Sequence, residues 1–183
     1  SGGVSRLRTN YRAFSNYTAT ARAGERGFLP SPSINAVIPP STQPSGAGAT
    51  WLGTSESGIV GFAGNRVETI TTEHGLNHNW VNGMVFDGHG RLWVGTVRGI
   101  NCLSPDRSML GPGAPRRMPQ TSTARAFDRP LHITSYVERA TYGCQRFAIP
   151  AGSSGAAVES LWFSAIRALI CLVNNRWFVL QEA

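Results

Sequence analysis

Between residues 74 and 103 the apolar positions fall into three short runs, at 81–86, 92–96 and 100–103, each the length of one strand. Asp87-Gly88-His89-Gly90 separates the first two runs and Val97-Arg98-Gly99 the last two. An aspartate–glycine step favours a tight reversal, because a turn between twisted strands needs a positive φ that glycine adopts without steric cost. The pattern predicts three antiparallel strands within this stretch.

The same pattern recurs along the chain. LWVGTVRGINCL (92–103) has an upstream relative, TWLGTSESGIVGF (50–62), in which Trp51, Gly53, Thr54, Gly58 and Ile59 take corresponding places after a one-residue adjustment in the turn. Downstream, LWFSAIRALICL (161–172) aligns without a gap, setting Trp162 against Trp93, Arg167 against Arg98 and Cys171 against Cys102. The first two tryptophans are 42 residues apart and the next two 69 apart, the excess being a polar, Pro/Gly-rich insertion. IVGFAGNRVETI (59–70) and LICLVNNRWFVL (169–180) both place an Asn-Arg turn between two apolar strands. The opening GGVSRL (2–7) looks like the GIVGF strand of a preceding copy.

A repeat near 42 residues built from four short strands is the signature of a β-propeller blade. Blades are sandwiched between neighbours, so both faces are buried and a strand need not alternate apolar with polar. In Leu92–Thr96, Trp93 and Gly95 share one face, where a large side chain and a gap together fit a neighbour's surface. The expectation is an all-β chain of four-stranded antiparallel propeller blades, about three of them, forming an incomplete ring. It is one domain over residues 1–183, with blade-like copies at about 28–70, 75–103 (followed by an insertion at 104–130) and 131–180. Val158, Leu161, Trp162, Ala165, Leu169 and Leu172 also fit helical spacing. The gapless alignment with 92–103 decides for strand.

Gly75-Leu76, Val81-Asn82-Gly83-Met84-Val85, Asp87-Gly88-His89-Gly90-Arg91, Leu92-Trp93-Val94-Gly95-Thr96 and Gly99-Ile100 together resemble the two-component regulator propeller repeat. In that resemblance the structural repeat positions are Trp51, Gly53, Thr54, Asp87, Gly90, Trp93, Gly95, Thr96 and Trp162. The family occurs in the periplasmic sensor half of bacterial hybrid histidine kinases. The resemblance therefore implies a non-enzymatic binding or sensor module in the periplasm or outside the cell, taking a ligand or a partner protein in signal transduction. Three blades do not close a ring, so a protein partner or self-association is expected to cover open blade faces. The alternative is a structural or scaffolding subunit of a larger, membrane-associated complex. A propeller lyase or hydrolase is the second alternative, and it would need acid and base residues at the channel of a complete ring.

Composition narrows the chemistry. Seventeen basic residues against ten acidic give a net charge of +7, and every basic residue is arginine. Proteins that grip nucleic acid usually cluster lysine and arginine on one face or segment. Here the arginines are scattered singly, apart from Arg116-Arg117, which argues for an anionic protein or membrane-associated partner and against nucleic acid. The insertion gathers Arg116, Arg117, Arg125 and Arg129 against Asp128, and these four are the candidate partner-binding residues, because long loops on rigid scaffolds carry binding function. Cys102, Cys144 and Cys171 have neither disulfide nor zinc spacing and read as small buried hydrophobes. No run reaches eighteen apolar residues without a charge, so no membrane span is expected.

His74 and His78 have the i, i+4 spacing of a metal pair but lie in a glycine-containing loop without a carboxylate or cysteine partner, and with His89 they read as loop residues. Asp87 reads as a turn residue whose carboxylate accepts backbone N–H groups, not as a catalytic acid. No nucleophile has a nearby base, and there is no Gly-rich phosphate loop. No catalytic, cofactor-binding or metal-binding residue is nominated, and no cofactor is expected.

Overall fold

The structure is a computed structural model that describes residues 3–7, 14–18, 29–40, 49–64, 66–105, 120–126, 129–137, 141–144, 146–148, 160–173 and 176–181. Two short strands, β1 (Gly3–Leu7) and β2 (Phe14–Thr18), form an antiparallel pair at the start. The first complete blade follows as a four-stranded sheet of β3 (Ile34–Ile38), β4 (Thr50–Thr54), β5 (Ile59–Ala63) and β6 (Arg66–Ile70), in that order. A 3-10 turn, Thr72–His74, leads out of it.

The second blade contains β7 (Val81–Phe86), β8 (Leu92–Thr96), β9 (Gly99–Ser104), β10 (Gln120–Ala126) and β11 (Arg129–Tyr136), in spatial order β10-β11-β9-β8-β7. The third is β12 (Arg146–Ala148), β13 (Ser160–Ser164), β14 (Ala168–Val173) and β15 (Arg176–Gln181), again in sequence order. All pairings are antiparallel. The 161–172 segment is thus strand, turn, strand.

One boundary differs from the sequence expectation. Residues 131–136, placed there in the third copy, pair with β9 through Ile133–Leu103 and Tyr136–Ile100 and complete the second blade. The reason is an edge that must be paired. In the first and third blades the next strand in sequence, β6 or β15, pairs at once with the third strand, but after β9 the chain runs into the insertion instead. The covering strand comes back only at Arg129, and β10 from within the insertion adds a fifth strand outside it.

The core lies between blades. Trp51, Ile59 and Ile70 of the first blade pack with Val81, Leu92, Val94, Leu103 and Ile133 of the second. On the other side of the second sheet, Trp93, Ile100, Cys102 and Tyr136 pack with Leu161, Phe163, Ile170 and Leu172 of the third. Successive strand residues point to opposite faces, so Leu92 and Val94 serve one interface and Trp93 the other. A register shift at Ile34/Ala36 recurs at Val81/Gly83, the same place in the innermost strand of both blades. The shift brings Val81 and Met84 to one face, against the first blade. Gly53 makes room for that approach, since a Cβ there would stand 2.6 Å from Val81 Cγ1.

Candidate binding face

The second-to-third-strand turns of all three blades emerge at one end, beside the segments that lead into each blade. In the first two blades a threonine builds the turn. Thr54 Oγ1 donates to the Gly58 carbonyl at 2.9 Å and accepts from Ser57 N at 2.9 Å. Thr96 Oγ1 likewise donates to the Gly99 carbonyl at 3.1 Å and accepts from Arg98 N at 3.2 Å. In the third blade Ala165 stands at this place, and the turn closes through its backbone, Ala165 N donating to the Ala168 carbonyl at 2.8 Å.

Backbone hydrogen bonds then tie each turn to its neighbours. Ser55 N, Val97 N and Ile166 N donate to the carbonyls of Ser33, Trp80 and Tyr142, the segment leading into the same blade each time. Gly58 N donates to Asn79 O, and Gly143 N to Val97 O, each linking one blade to the next. The result is a hydrogen-bonded rim across three blades. Trp80, Arg98, Tyr142, Ile166 and Arg167 stand exposed on it. Behind it a polar lattice fixes the entry loop: Asn101 Nδ2 and Ser135 Oγ both donate to the Gly75 carbonyl, while Asn77 Nδ2 donates to the Ile100 carbonyl. His74 Nδ1 accepts from Thr71 N at 3.1 Å, and His78 Nδ1 accepts from Trp80 N at 2.9 Å. Desolvation, with the nearby Arg98 charge second, lowers the His78 pKa.

Asp87 sits at the opposite end, in the β7–β8 turn, and is buried. Its Oδ1 accepts from His89 N at 3.0 Å and Arg91 N at 2.9 Å, and its Oδ2 accepts from Trp93 Nε1 at 2.7 Å and from Arg91 Nε. The Arg91 guanidinium also lies over the Trp93 ring, 5.5 Å from its centre. Gly90 adopts a φ of 76° in this turn. Both carboxylate oxygens are occupied by N–H donors, so the group fixes the turn to the tryptophan and has no free lone pair facing solvent for acid–base work.

Trp51 and Trp93 lie between blades, whereas Trp162, at the same repeat position, faces away from the second blade and is half-buried. Cross-strand pairing places Cys171 and Phe178 beside Trp162, and Leu169 and Leu180 beside Ser164, all on that outer face. Leu169, Phe178 and Leu180 are exposed. Trp177 turns the other way and joins Trp93, Tyr136 and Phe163 in an aromatic cluster, its ring 5.0 Å from that of Tyr136 and 5.7 Å from that of Trp93. Trp80 and Trp177 have no tryptophan counterpart in the other copies (Val67 aligns with Trp177), so the repeat signal did not single them out.

Of the four candidate partner-binding arginines, Arg116 and Arg117 lie outside the described residues. Arg125 and Arg129 belong to the β10–β11 hairpin, in register with Pro130 and Ala126 respectively, and their side chains lie outside the description. All three cysteines are free and buried. Burial raises each thiol's pKa, that of Cys144 to about 12. Among the described residues no group of three His, Cys, Asp or Glu side chains is gathered as metal ligands would be.

The family model for the two component regulator propeller matches residues 75–98, which run from the entry loop through the Asp87 turn to Arg98. Among solved structures, the extracellular domain of a hybrid two component system protein from B. thetaiotaomicron superposes with a TM-score of 0.53 at 15% sequence identity. The alignment covers 90% of this chain and 18% of that one, so the chain spans about a fifth of its length. This likeness carries the propeller-like fold. No curated protein matches the sequence.

Proposed function

We propose that the chain is a non-enzymatic recognition module of the two-component regulator propeller type, working outside the cytoplasm by binding a ligand or a partner protein. The observation that carries this reading is the repeat match at residues 75–98, set in a stack of blades with one continuous rim of loops. The solved structure it resembles is an extracellular domain, which supports the location. No helix among the described residues is long and apolar enough to cross a membrane. The ionisable groups of the central repeat support the non-catalytic part, because Asp87 is fully engaged within its turn and the thiols are buried with raised pKa values.

A second reading rests on the outer face of the third blade. Trp162, Leu169, Phe178 and Leu180 occupy the side that the next blade covers in the first two copies. A structural subunit whose neighbour, another polypeptide, supplies that cover accounts for the exposed apolar patch. On either reading Arg116, Arg117, Arg125 and Arg129 would meet an acidic or membrane-associated partner. Light scattering on natively isolated material, with identification of anything that co-purifies, separates the two. A particle of one or two chains, stable alone, supports the sensor. A chain that stays folded only within a larger particle containing other polypeptides supports the structural subunit and contradicts the sensor.

A further inference from the structure

The rim carries a feature that neither the fold nor the repeat requires. Trp80 and Tyr142 are 46% and 42% exposed, although both are large aromatics held in place by the hydrogen bonds their carbonyls accept. Each stands beside a turn that presents an exposed arginine, Arg98 in the second blade and Arg167 in the third. Ile166, 71% exposed, lies across Gly143, where a Cβ would meet its side chain at 2.5 Å. Val97 sits between the two couples, its N–H bonded to Trp80 O and its carbonyl to Gly143 N. Two aromatic, one aliphatic and two arginine residues thus stand exposed along one ridge whose backbone is hydrogen-bonded across two blades.

The first blade shows that this ridge is not a structural necessity. There the same rim bonds are made by Ser33 and Ser55, and the turn reads Ser55-Glu56-Ser57, with an acid and no aromatic. Among the described residues neither Arg98 nor Arg167 has an ion-pair partner; Arg66 pairs with Glu68 and Arg91 with Asp87. Exposed Trp, Tyr and Arg gathered together are the composition of protein-interface hot spots. The bare aliphatic surface of Ile166 suits an apolar peptide side chain better than a hydroxylated sugar ring.

We propose that this ridge binds an acidic peptide segment of a partner protein. Two carboxylates engage Arg98 and Arg167, and an apolar side chain between them lies on Trp80, Ile166 and Tyr142. Packed sheets stand about 10 Å apart, an extended chain advances about 3.3 Å per residue and alternate side chains share a face. Acids at i and i+4 with the apolar residue at i+2 therefore present all three to the ridge over about 13 Å, within reach of two arginine side chains. Guanidinium groups take carboxylates through paired, charge-assisted hydrogen bonds, which gives the contact direction as well as charge. The proposal stands whether the chain is a sensor or a structural subunit.

The test is fluorescence anisotropy of a fluorescein-labelled peptide carrying two glutamates four residues apart with a leucine midway between them, titrated with the full chain. Binding is expected, weakening as salt is raised. Arg98→Gln and Arg167→Gln each lower affinity about tenfold, the loss of one charged contact. Ile166→Ser lowers it as well, while Arg66→Gln, away from the ridge, leaves it unchanged. Thermal melts of the arginine variants match the parent, because both side chains are exposed, and this separates lost contact from lost fold. Equal binding of the peptide with glutamines in place of glutamates overturns the proposal, as does undiminished binding by the double arginine variant. No binding at millimolar protein overturns it too. Binding of polygalacturonate but not of the peptide would assign the ridge to an acidic polysaccharide instead.

Discussion

At the scale of single residues, Asp87 shows how a turn is tied to a core. The aspartate–glycine step made the reversal legible in the sequence. Its closure by Arg91 Nε and Trp93 Nε1 was not, because those donors reach the carboxylate only once β7 and β8 are paired. Removing the carboxylate takes a buried acceptor from Arg91 Nε, Arg91 N and Trp93 Nε1 at once, so Asp87→Ala is expected to cost about 3–5 kcal/mol. Asp87→Ala combined with Arg91→Met is expected to cost less than Asp87→Ala alone, since the charge that loses its ion pair is then removed as well. Urea unfolding of both variants measures this, and equal losses would mean the pair is not a closed unit. His78 supplies a pH dependence. Desolvation and Arg98 hold its pKa below the ordinary 6.5, so the unfolded chain takes up its proton first as pH falls. Stability from this site is therefore intact above 6.5, declines below it, and stops declining once the folded state is protonated. His78→Asn keeps an acceptor for Trp80 N without the titration. The parent's melting temperature should fall faster than that of this variant between about pH 7 and about pH 5.5.

Among elements, the strands and their turns were largely legible because the apolar runs recur with fixed turn chemistry. The threonine that bonds across the turn explains physically why Gly-Thr follows the tryptophan in two copies, and Ala165 shows that a backbone bond can replace it. Helical spacing at 158–172 was a real competitor, because both faces of these strands carry apolar side chains and period two is therefore masked. The misplaced strand was 131–136. No local signal assigns a strand to the sheet before it in place of the sheet after it, and only the unpaired edge of β9 decides. Gly53 yields the element-scale prediction. With Val81 Cγ1 at 2.6 Å from its missing Cβ, Gly53→Ala should push the first two blades apart and cost about 1–3 kcal/mol by overpacking. Val81→Ala in the same chain should recover part of that loss in urea melts. Independent, additive losses would show that the two residues do not share a contact.

For the whole molecule, the first two blades turn their repeat tryptophans, Trp51 and Trp93, toward the blade that follows, and Trp162 of the third faces away from the second. This arrangement was half legible, since the repeat showed equivalent positions but not which neighbour each faces. The exposed ridge of Trp80, Tyr142 and Ile166 was not legible, because it belongs to entry loops and turns whose sequences differ between copies. Cys102 and Cys144 lie within the interface of the second and third blades, where burial also raises their pKa values, and they need no chemical role. The measurement that tests the stacking most directly is equilibrium urea unfolding of Trp51→Ala, Trp93→Ala and Trp162→Ala at dilute protein. Trp51 and Trp93 are packed between blades, and each truncation should cost about 3–5 kcal/mol. Trp162, half-buried on the outer face of the third blade, should cost about 1 kcal/mol or less, in the range of partly exposed sites. Three equal losses, or a small loss at Trp93, would contradict the stacking of blades described here.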